Sequence, residues 1–190
     1  SRMDYLSAHM NNHACALCVE KGLQVEIPER AKVIRVLMDE LTRIASHELW
    51  WGAMAMDLGA FTPFFHAFRE RETINDIMEE TCGARLTMNY MVPGGVMHDI
   101  HPNFQRRVKE FIQLYKSKIH EYDELVTGNI IFQNRMKGVG MLSAEDAISY
   151  GCTGPVARGS GVSSDIRKVQ PYEIYDKLEF DEVLETGCDS

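Results

Sequence analysis

The sequence predicts a mainly α-helical fold with a small irregular or β portion at its C-terminal end. Apolar residues recur three and four positions apart over much of residues 1–150, the spacing that buries one face of a helix. Residue pairs that favour helix starts and stops, Thr62-Pro63 and Cys82-Gly83, separate the segments. From Gly151 the composition turns to Gly, Ser and Pro. We therefore expect a single domain over 1–190, with its helical core at about 1–150.

The first two helices are predicted from residue 3 to about residue 20, where Gly22 suits a helix end, and from Pro28 onward. In the second helix the charged residues fall between the apolar ones, so we expect them to face solvent: Arg30, Lys32, Arg35, Asp39, Glu40 and Arg43 lie between Val33, Val36, Leu37, Leu41, Ile44 and Ala45. From Leu49 to Phe61 every face is apolar or small. The pattern there predicts a fully buried helix.

The later elements are predicted from cap and turn residues as well as from the spacing of apolar residues. A helix from Thr62 to Cys82 precedes a polar, glycine-rich loop at 89–103, and a clear amphipathic helix runs from Phe104 to Val126. Ser143 begins a predicted capping box. We expect an ordered loop at 151–171 and one or two short strands within 172–184. The abrupt ends, Ser1 without an initiator methionine and Ser190, lead us to expect a fragment truncated on both sides.

Composition excludes several function classes. The formal net charge is −8 at pH 7, so no basic surface for nucleic acid is predicted. The longest uncharged apolar run stops before Asp57, far short of the ~20 residues that span a bilayer, and we expect membrane association only through partners. Five cysteines, an odd number without scaffold spacing, favour a reducing, cytoplasmic compartment.

Three local motifs resemble known sites and are incomplete. His47-Glu48 lacks the second histidine of a zinc protease because position 51 is tryptophan. Cys15 and Cys18 have the spacing of a metal or redox pair, but no second pair follows, so we expect two small buried residues on a helix face. Gly159-Ser160-Gly161 lacks the third glycine and the preceding strand of a dinucleotide site.

Asp57 and Tyr5 are the candidate site residues. An acid in an apolar run either finds a partner or becomes protonated, because an unpaired buried charge is costly. Asp57 is therefore a site candidate. The alternative is a structural pair with Arg43 or Arg85. The Tyr5 phenol can donate a hydrogen bond and then a proton, although a tyrosine on a helix commonly serves only packing.

Four ordered segments resemble the quinone-site (D) polypeptide of complex I-type NADH–quinone oxidoreductases, the homologue of the nickel–iron hydrogenase large subunit. They are RMDYLS (2–7), ELTRIASHELWWGAMAMDLGAFTPFFHAFRERE (40–72), GARLTMNYMVPGGV (83–96) and TGPVARGSGVSSDIRKVQPYEIYDKLEF (153–180). The resemblance implies a hydrogenase-like helical core that packs on an iron–sulfur partner subunit and forms the head of a quinone cavity. Tyr5 matches the tyrosine that binds the quinone headgroup, and Asp57 the acid that pairs with a pocket histidine. Arg2 matches an arginine near the partner's terminal iron–sulfur cluster.

The chain also departs from the family pattern. The pocket histidine belongs to a loop upstream of Ser1, many relatives have histidine where this chain has Thr87, and the family continues beyond residue 190. Hydrogenases place a nickel-binding CxxC where this chain reads Asp4-Tyr5-Leu6-Ser7. A carboxylate and a hydroxyl are poor substitutes for soft thiolates, so hydrogenase activity is not expected.

The resemblance implies a subunit that couples quinone reduction to proton translocation, inert as an isolated fragment. No cofactor is expected on this chain: quinone is the substrate, the iron–sulfur cluster belongs to the partner, and the NADH-oxidising and membrane-arm subunits complete the enzyme. The expected place is the cytoplasmic side of the cell membrane, peripheral, through the complex. Two alternatives stay open: a structural or assembly module, and a related membrane oxidoreductase that uses ferredoxin or another donor.

Overall fold

The structure is a computed structural model that describes residues 3–187. Its chain divides into two compact units, 1–126 and 127–190. The helices of the first unit are α1 Ala8–Leu23, α2 Glu29–Asp57, α3 Phe61–Cys82 and α4 Phe104–Tyr122, with strands β1 Met91–Val92 and β2 Gly95–Val96 between the last two. A π-helical turn, Asp123–Thr127, follows α4. The prediction of a mainly helical fold is confirmed.

The long helices α2 and α3 form an antiparallel pair, because only residues 58–60 connect them. Gly52 lies at their closest approach. A Cβ atom at this position would be 3.1 Å from the Cα of Phe64 and 3.3 Å from the Cβ of Ala67. Small residues on both helices thus let the two backbones approach closely, since the side chains at the contact set the distance between packed helices.

The hydrophobic core lies between the helices of this unit and the β1–β2 hairpin. Its innermost side chains come from each element in turn: Met38 from α2, Ile74, Ile77 and Met78 from α3, Tyr90 and Met91 from the hairpin region, and Phe104 and Phe111 from α4. The amphipathic pattern predicted for α4 is confirmed at its first turns. Further along, Ile119 is exposed, so the apolar stripe of α4 is only partly covered.

In the first unit the structure corrects both predicted ends of the first helix and the predicted loop at 89–103. The first helix begins at Ala8, because residues 3–7 form a turn, and it ends at Leu23 rather than at Gly22. Gln24 adopts the left-handed conformation, with φ of 55°, that closes the helix. The predicted loop at 89–103 contains the two-residue strands β1 and β2, which pair antiparallel.

Arg35 is buried, contrary to the prediction that it faces solvent. Its guanidinium donates to both carboxylate oxygens of Glu20 at 2.6 and 3.0 Å and to the carbonyl oxygens of Val92 and Gly95 at 2.8 and 2.9 Å. The backbone N–H of Gly94 donates to the same carboxylate at 2.8 Å. One ion pair therefore joins α1, α2 and the hairpin, and a hairpin of two-residue strands needs such an external anchor.

The second unit, as far as it is described, has short helices at α5 Ile130–Met136, α6 Ala144–Ser149, α7 Gly154–Gly159 and α8 Ile166–Val169, followed by a 3₁₀ turn at Tyr175–Lys177. The predicted cap is confirmed, since the Ser143 hydroxyl accepts from the N–H of Asp146 at 3.0 Å. Helices α7 and α8 occupy the predicted loop. Within the described part of 172–184 there is no strand, which makes that prediction wrong.

Candidate functional site

Tyr5 lies in a turn before α1, whereas the sequence had placed it on a helix. The turn is built on Asp4, whose carboxylate accepts from the backbone N–H of Leu6 at 2.9 Å. The carbonyl oxygen of Asp4 also accepts from the side-chain amide of Asn11 at 2.8 Å. Such a local side-chain turn competes with helix formation. It leaves the Tyr5 side chain 58% exposed, with its phenol available to a ligand.

A polar contact attaches the turn to α2. The hydroxyl of Ser7, two residues after Tyr5, lies 3.4 Å from the hydroxyl of Ser46. Ser46 belongs to the middle of α2, so the phenol-bearing turn is placed beside that helix.

Asp57 is the last residue of α2 and is exposed, so the prediction of a buried acid is wrong. The prediction of one fully buried helix from Leu49 to Phe61 is also wrong, because α2 ends at Asp57 and the segment does not bury all its faces. Trp50 is 58% and Phe61 63% exposed, whereas Gly52 and Ala55 are buried against α3. Among the described residues only one side of this apolar stretch has a packing partner. The two arginines considered as partners of Asp57 bind other carboxylates: Arg43 binds Glu40, and Arg85 binds Glu72, Asp76 and Glu79.

Helical geometry relates Asp57 to the turn of Tyr5. Ser46 and Asp57 are eleven residues apart, which is three turns plus about 20°, so both lie on one face of α2 about 16 Å apart along its axis. Trp50, one turn after Ser46, lies on the same face and is exposed. The Trp50 indole and the Asp57 carboxylate thus lie on one partly uncovered face of α2, and the turn that carries the Tyr5 phenol contacts the same face at Ser46.

The other candidate positions do not join this face. Arg2 lies outside the described residues. Cys15 and Cys18 are both exposed on α1, not buried as predicted. Within residues 3–187, no group of three or more His, Cys, Asp or Glu side chains is arranged to hold a metal ion.

A cluster that sequence reasoning missed lies on the opposite side of α2. Glu48 is 2% exposed, and neither carboxylate oxygen has a hydrogen-bond partner among the described residues. Burial, together with the nearby carboxylate of Glu70 on α3, raises the pKa of Glu48 to about 8, while Arg71 opposes the change. A signal was available, since Leu41, Ala45, Glu48, Gly52 and Ala55 follow 4-3-4-3 spacing along the buried stripe.

A second missed pair is the contact between His13 of α1 and Asp39 of α2. The His13 Nδ1 lies 2.6 Å from a carboxylate oxygen of Asp39, and both side chains are buried. Burial raises the pKa of Asp39, and the contact with His13 opposes this. Sequence reasoning placed Asp39 on the solvent side. Its partner is 26 residues away, and no local pattern reveals such a contact.

Among residues 3–187, none of the helices is both long enough and apolar enough to cross a membrane.

Comparisons with known proteins place the chain in a family. Residues 57–190 match the family model described as the respiratory-chain NADH dehydrogenase 49 kDa subunit. The chain is 58% identical over 188 residues to the C/D polypeptide of the NADH-quinone oxidoreductase of Bacteroides thetaiotaomicron, an alignment that covers 99% of this chain and 36% of that protein.

Relatives from other bacteria give the same result. The second D polypeptide of the NADH-quinone oxidoreductase of Opitutus terrae is 48% identical over 190 residues, covering 100% of this chain and 48% of that protein. The D polypeptide of the Bacillus mycoides enzyme is 52% identical over 180 residues, covering 95% and 49%. The chain therefore spans between about a third and a half of the length of the curated relatives it matches.

Proposed function

Because the chain belongs to the family of the 49 kDa subunit of respiratory-chain NADH dehydrogenase, we propose that it forms part of a quinone headgroup site. The uncovered face of α2 carries this proposal. Asp57 and the Trp50 indole are exposed on this face, and the turn that carries the exposed Tyr5 phenol contacts it at Ser46. The phenol and the indole suit a quinone headgroup, since its ring is apolar and its carbonyl oxygens accept hydrogen bonds, and the carboxylate can orient a further donor.

In this proposal Tyr5 donates a hydrogen bond from its phenolic O–H to one quinone carbonyl oxygen. As electrons reach the quinone, negative charge develops on that oxygen, and a donor already aimed at it stabilises the charge and then supplies the proton. Because of the turn built on Asp4, Tyr5 precedes α1 and its phenol stays exposed, where a substrate can approach it.

Asp57 acts on the second carbonyl oxygen indirectly. The resemblance provides a pocket histidine on a loop that precedes Ser1, and we propose that the Asp57 carboxylate orients its imidazole and stabilises its protonated form. The exposure of Asp57 at the end of α2 supports this role, because a carboxylate that must meet a side chain from another segment cannot be enclosed by its own neighbours.

The partners follow from the same proposal. A partner subunit holds the terminal iron–sulfur cluster that delivers electrons, with Arg2 near it, and other subunits oxidise NADH and translocate protons in the membrane. Since no helix within residues 3–187 suits a bilayer, we propose peripheral attachment at the cytoplasmic side of the membrane through those subunits.

The decisive experiment is the substitution Tyr5→Phe in the assembled complex. We expect assembly to be preserved and quinone reduction to fall by about 10- to 100-fold. Electron transfer from NADH to an artificial acceptor that bypasses the quinone site should be unchanged. Tyr150→Phe, at another exposed tyrosine, is the matched control and should leave both rates unaltered.

Normal quinone reduction in the Tyr5→Phe complex would contradict the proposal and favour a structural or assembly role for this chain. The identity of the electron donor is tested separately, by supplying the native complex with NADH or with reduced ferredoxin. Reduction of quinone by ferredoxin alone would move the chain to the related class of membrane oxidoreductases, without changing the role of Tyr5.

A further inference from the structure

The buried acid of α2 is Glu48, and it lies in a setting that disfavours a negative charge. Its side chain is enclosed where α2 packs on α3, and no described N–H or O–H group donates to either oxygen. An ionised carboxylate taken out of water without a donor loses several kcal/mol of solvation, and a protein commonly avoids this by protonating the group. The geometry alone therefore favours the neutral acid at this position.

The neighbouring acid, Glu70, is held in the opposite way. Arg69 donates to its Oε1 from Nε at 2.8 Å and from a terminal nitrogen at 2.7 Å, and the hydroxyl of Tyr122 donates to Oε2 at 3.3 Å. A carboxylate with donors on both oxygens is stable as an anion even when buried. Both oxygens of Glu70 thus have hydrogen-bond donors, and the nearby Glu70 carboxylate further opposes the ionisation of Glu48.

Arg71 is the one buried cation near the two acids within the described residues. Its guanidinium carbon lies 5.4 Å from the centre of the Phe68 ring, and its Nε has no hydrogen-bond partner among residues 3–187. Arg69 is half exposed and also binds Glu121 at 3.2 Å, so its charge is shared with a second carboxylate. Arg69 thus binds Glu70, and Arg71 attracts the Glu48 carboxylate without forming an ion pair with it among the described residues.

Helix α4 contributes two phenols to the cluster and no cation. Burial, aided by the carboxyls of Glu48 and Glu70, raises the pKa of Tyr115 to about 12, and the pKa of Tyr122 rises for the same reasons. Both phenols are therefore neutral near pH 7. They can donate or accept a hydrogen bond, but they cannot compensate a second negative charge.

We propose that Glu48 is a buried proton-binding site, a neutral carboxylic acid in the folded protein at neutral pH, beside the hydrogen-bonded carboxylate of Glu70. The ligand is a proton that exchanges with water, and its loss adds one negative charge between α2 and α3. The pKa of about 8 is consistent with this geometry. The site is nine residues from Asp57, about 13 Å along the helix axis, and it does not depend on the proposed quinone function.

Infrared spectroscopy of the assembled complex tests the proposal, because the C=O stretch of a protonated carboxyl is separate from the bands of a carboxylate. Spectra of the wild-type complex and of Glu48→Gln are subtracted over a pH titration in H₂O and D₂O. We expect the difference to contain one protonated-carboxyl band with a midpoint near pH 8. The exposed glutamate of the same helix supplies the control, Glu29→Gln, whose subtraction should contain no such band at pH 7.

A wild-type-minus-Glu48→Gln spectrum with only carboxylate bands at pH 7 would overturn the proposal. If Glu48→Gln does not assemble, Glu48→Asp is used in its place. The shorter acid should keep the proton and shift the frequency of the same band, whereas an unchanged protonated-carboxyl spectrum in that variant would equally exclude Glu48 as the site.

Discussion

Glu48 and Asp57 lie on the same helix and on opposite sides of it. They are separated by nine residues, two and a half turns, so Glu48 packs against α3 while Asp57 remains exposed. One acid is isolated from water and from donors, and the other is available to a ligand or partner. This separation allows the two carboxyl groups to be tested independently.

The substitution Asp57→Asn tests the exposed acid. In the assembled complex we expect quinone reduction to fall at least about tenfold, because a neutral amide stabilises a protonated imidazole less well than a carboxylate does. The urea unfolding midpoint of the chain should stay the same, since an exposed side chain at a helix end has little to lose. Asp181→Asn, at another exposed aspartate, is the control. Unchanged quinone reduction with Asp57→Asn would remove this residue from the mechanism.

The buried acid predicts how stability depends on pH. The pKa of Glu48 is about 8 in the folded chain, above its usual value of 4.5. Between these values the folded state binds a proton that the unfolded state has lost, so the free energy of unfolding decreases as pH rises from 4.5 to 8. At pH 7 the free energy of unfolding is therefore lower, by on the order of 3 kcal/mol, than at pH values below 4.5.

Glu48→Gln removes this pH-dependent loss of stability, because an amide does not titrate. Urea titrations from pH 4.5 to 8 should show a smaller decrease in stability for this variant than for the wild-type chain. Glu29→Gln should retain the wild-type slope. Identical slopes for all three proteins would mean that Glu48 is ionised in the folded state.

The sequence predicted the helices well and the positions of the buried charges poorly, and the reason is physical. The helix from Thr62 to Cys82 and the cap at Ser143 depend on neighbours a few residues away, which a pattern reveals. Arg35 depends on Glu20 and on carbonyl oxygens 57 and 60 residues later in the chain. No local rule shows that such a charge is satisfied inside the fold.

The predicted strands within 172–184 failed for a related reason. Their aromatic residues suit strands, but Tyr175 and Phe180 pack against the Arg167 guanidinium, whose carbon lies 5.9 and 4.7 Å from the two ring centres. The motifs identified the family, and the roles of Tyr5 and Asp57 stay predictions. The exposure of Asp57 and the burial of Glu48 required the packing of α2 against α3.

Arg35 provides a test of the anchor between α1, α2 and the hairpin. Arg35→Met leaves the Glu20 carboxylate buried without its cation, which should cost about 3–5 kcal/mol of unfolding free energy. Arg106→Met, which breaks an exposed pair with Glu110, should cost less than about 1 kcal/mol. The double variant Glu20→Leu with Arg35→Met should lose less than Arg35→Met alone. Equal losses for the two single arginine variants would show that the buried pair is not the anchor.

Two glycines of the first unit predict opposite effects of added side-chain volume. A Cβ atom added at Gly52 would lie 3.1 Å from the Cα of Phe64, so Gly52→Val must push α3 away and should destabilise the chain by about 1–3 kcal/mol. Gly22 lies within α1 with open space around it, so Gly22→Ala should stabilise the chain by about 0.5–1 kcal/mol through helix propensity. Urea unfolding followed by circular dichroism measures both changes. A gain in stability from Gly52→Val would show that α2 and α3 do not approach each other as closely as 3.1 Å implies.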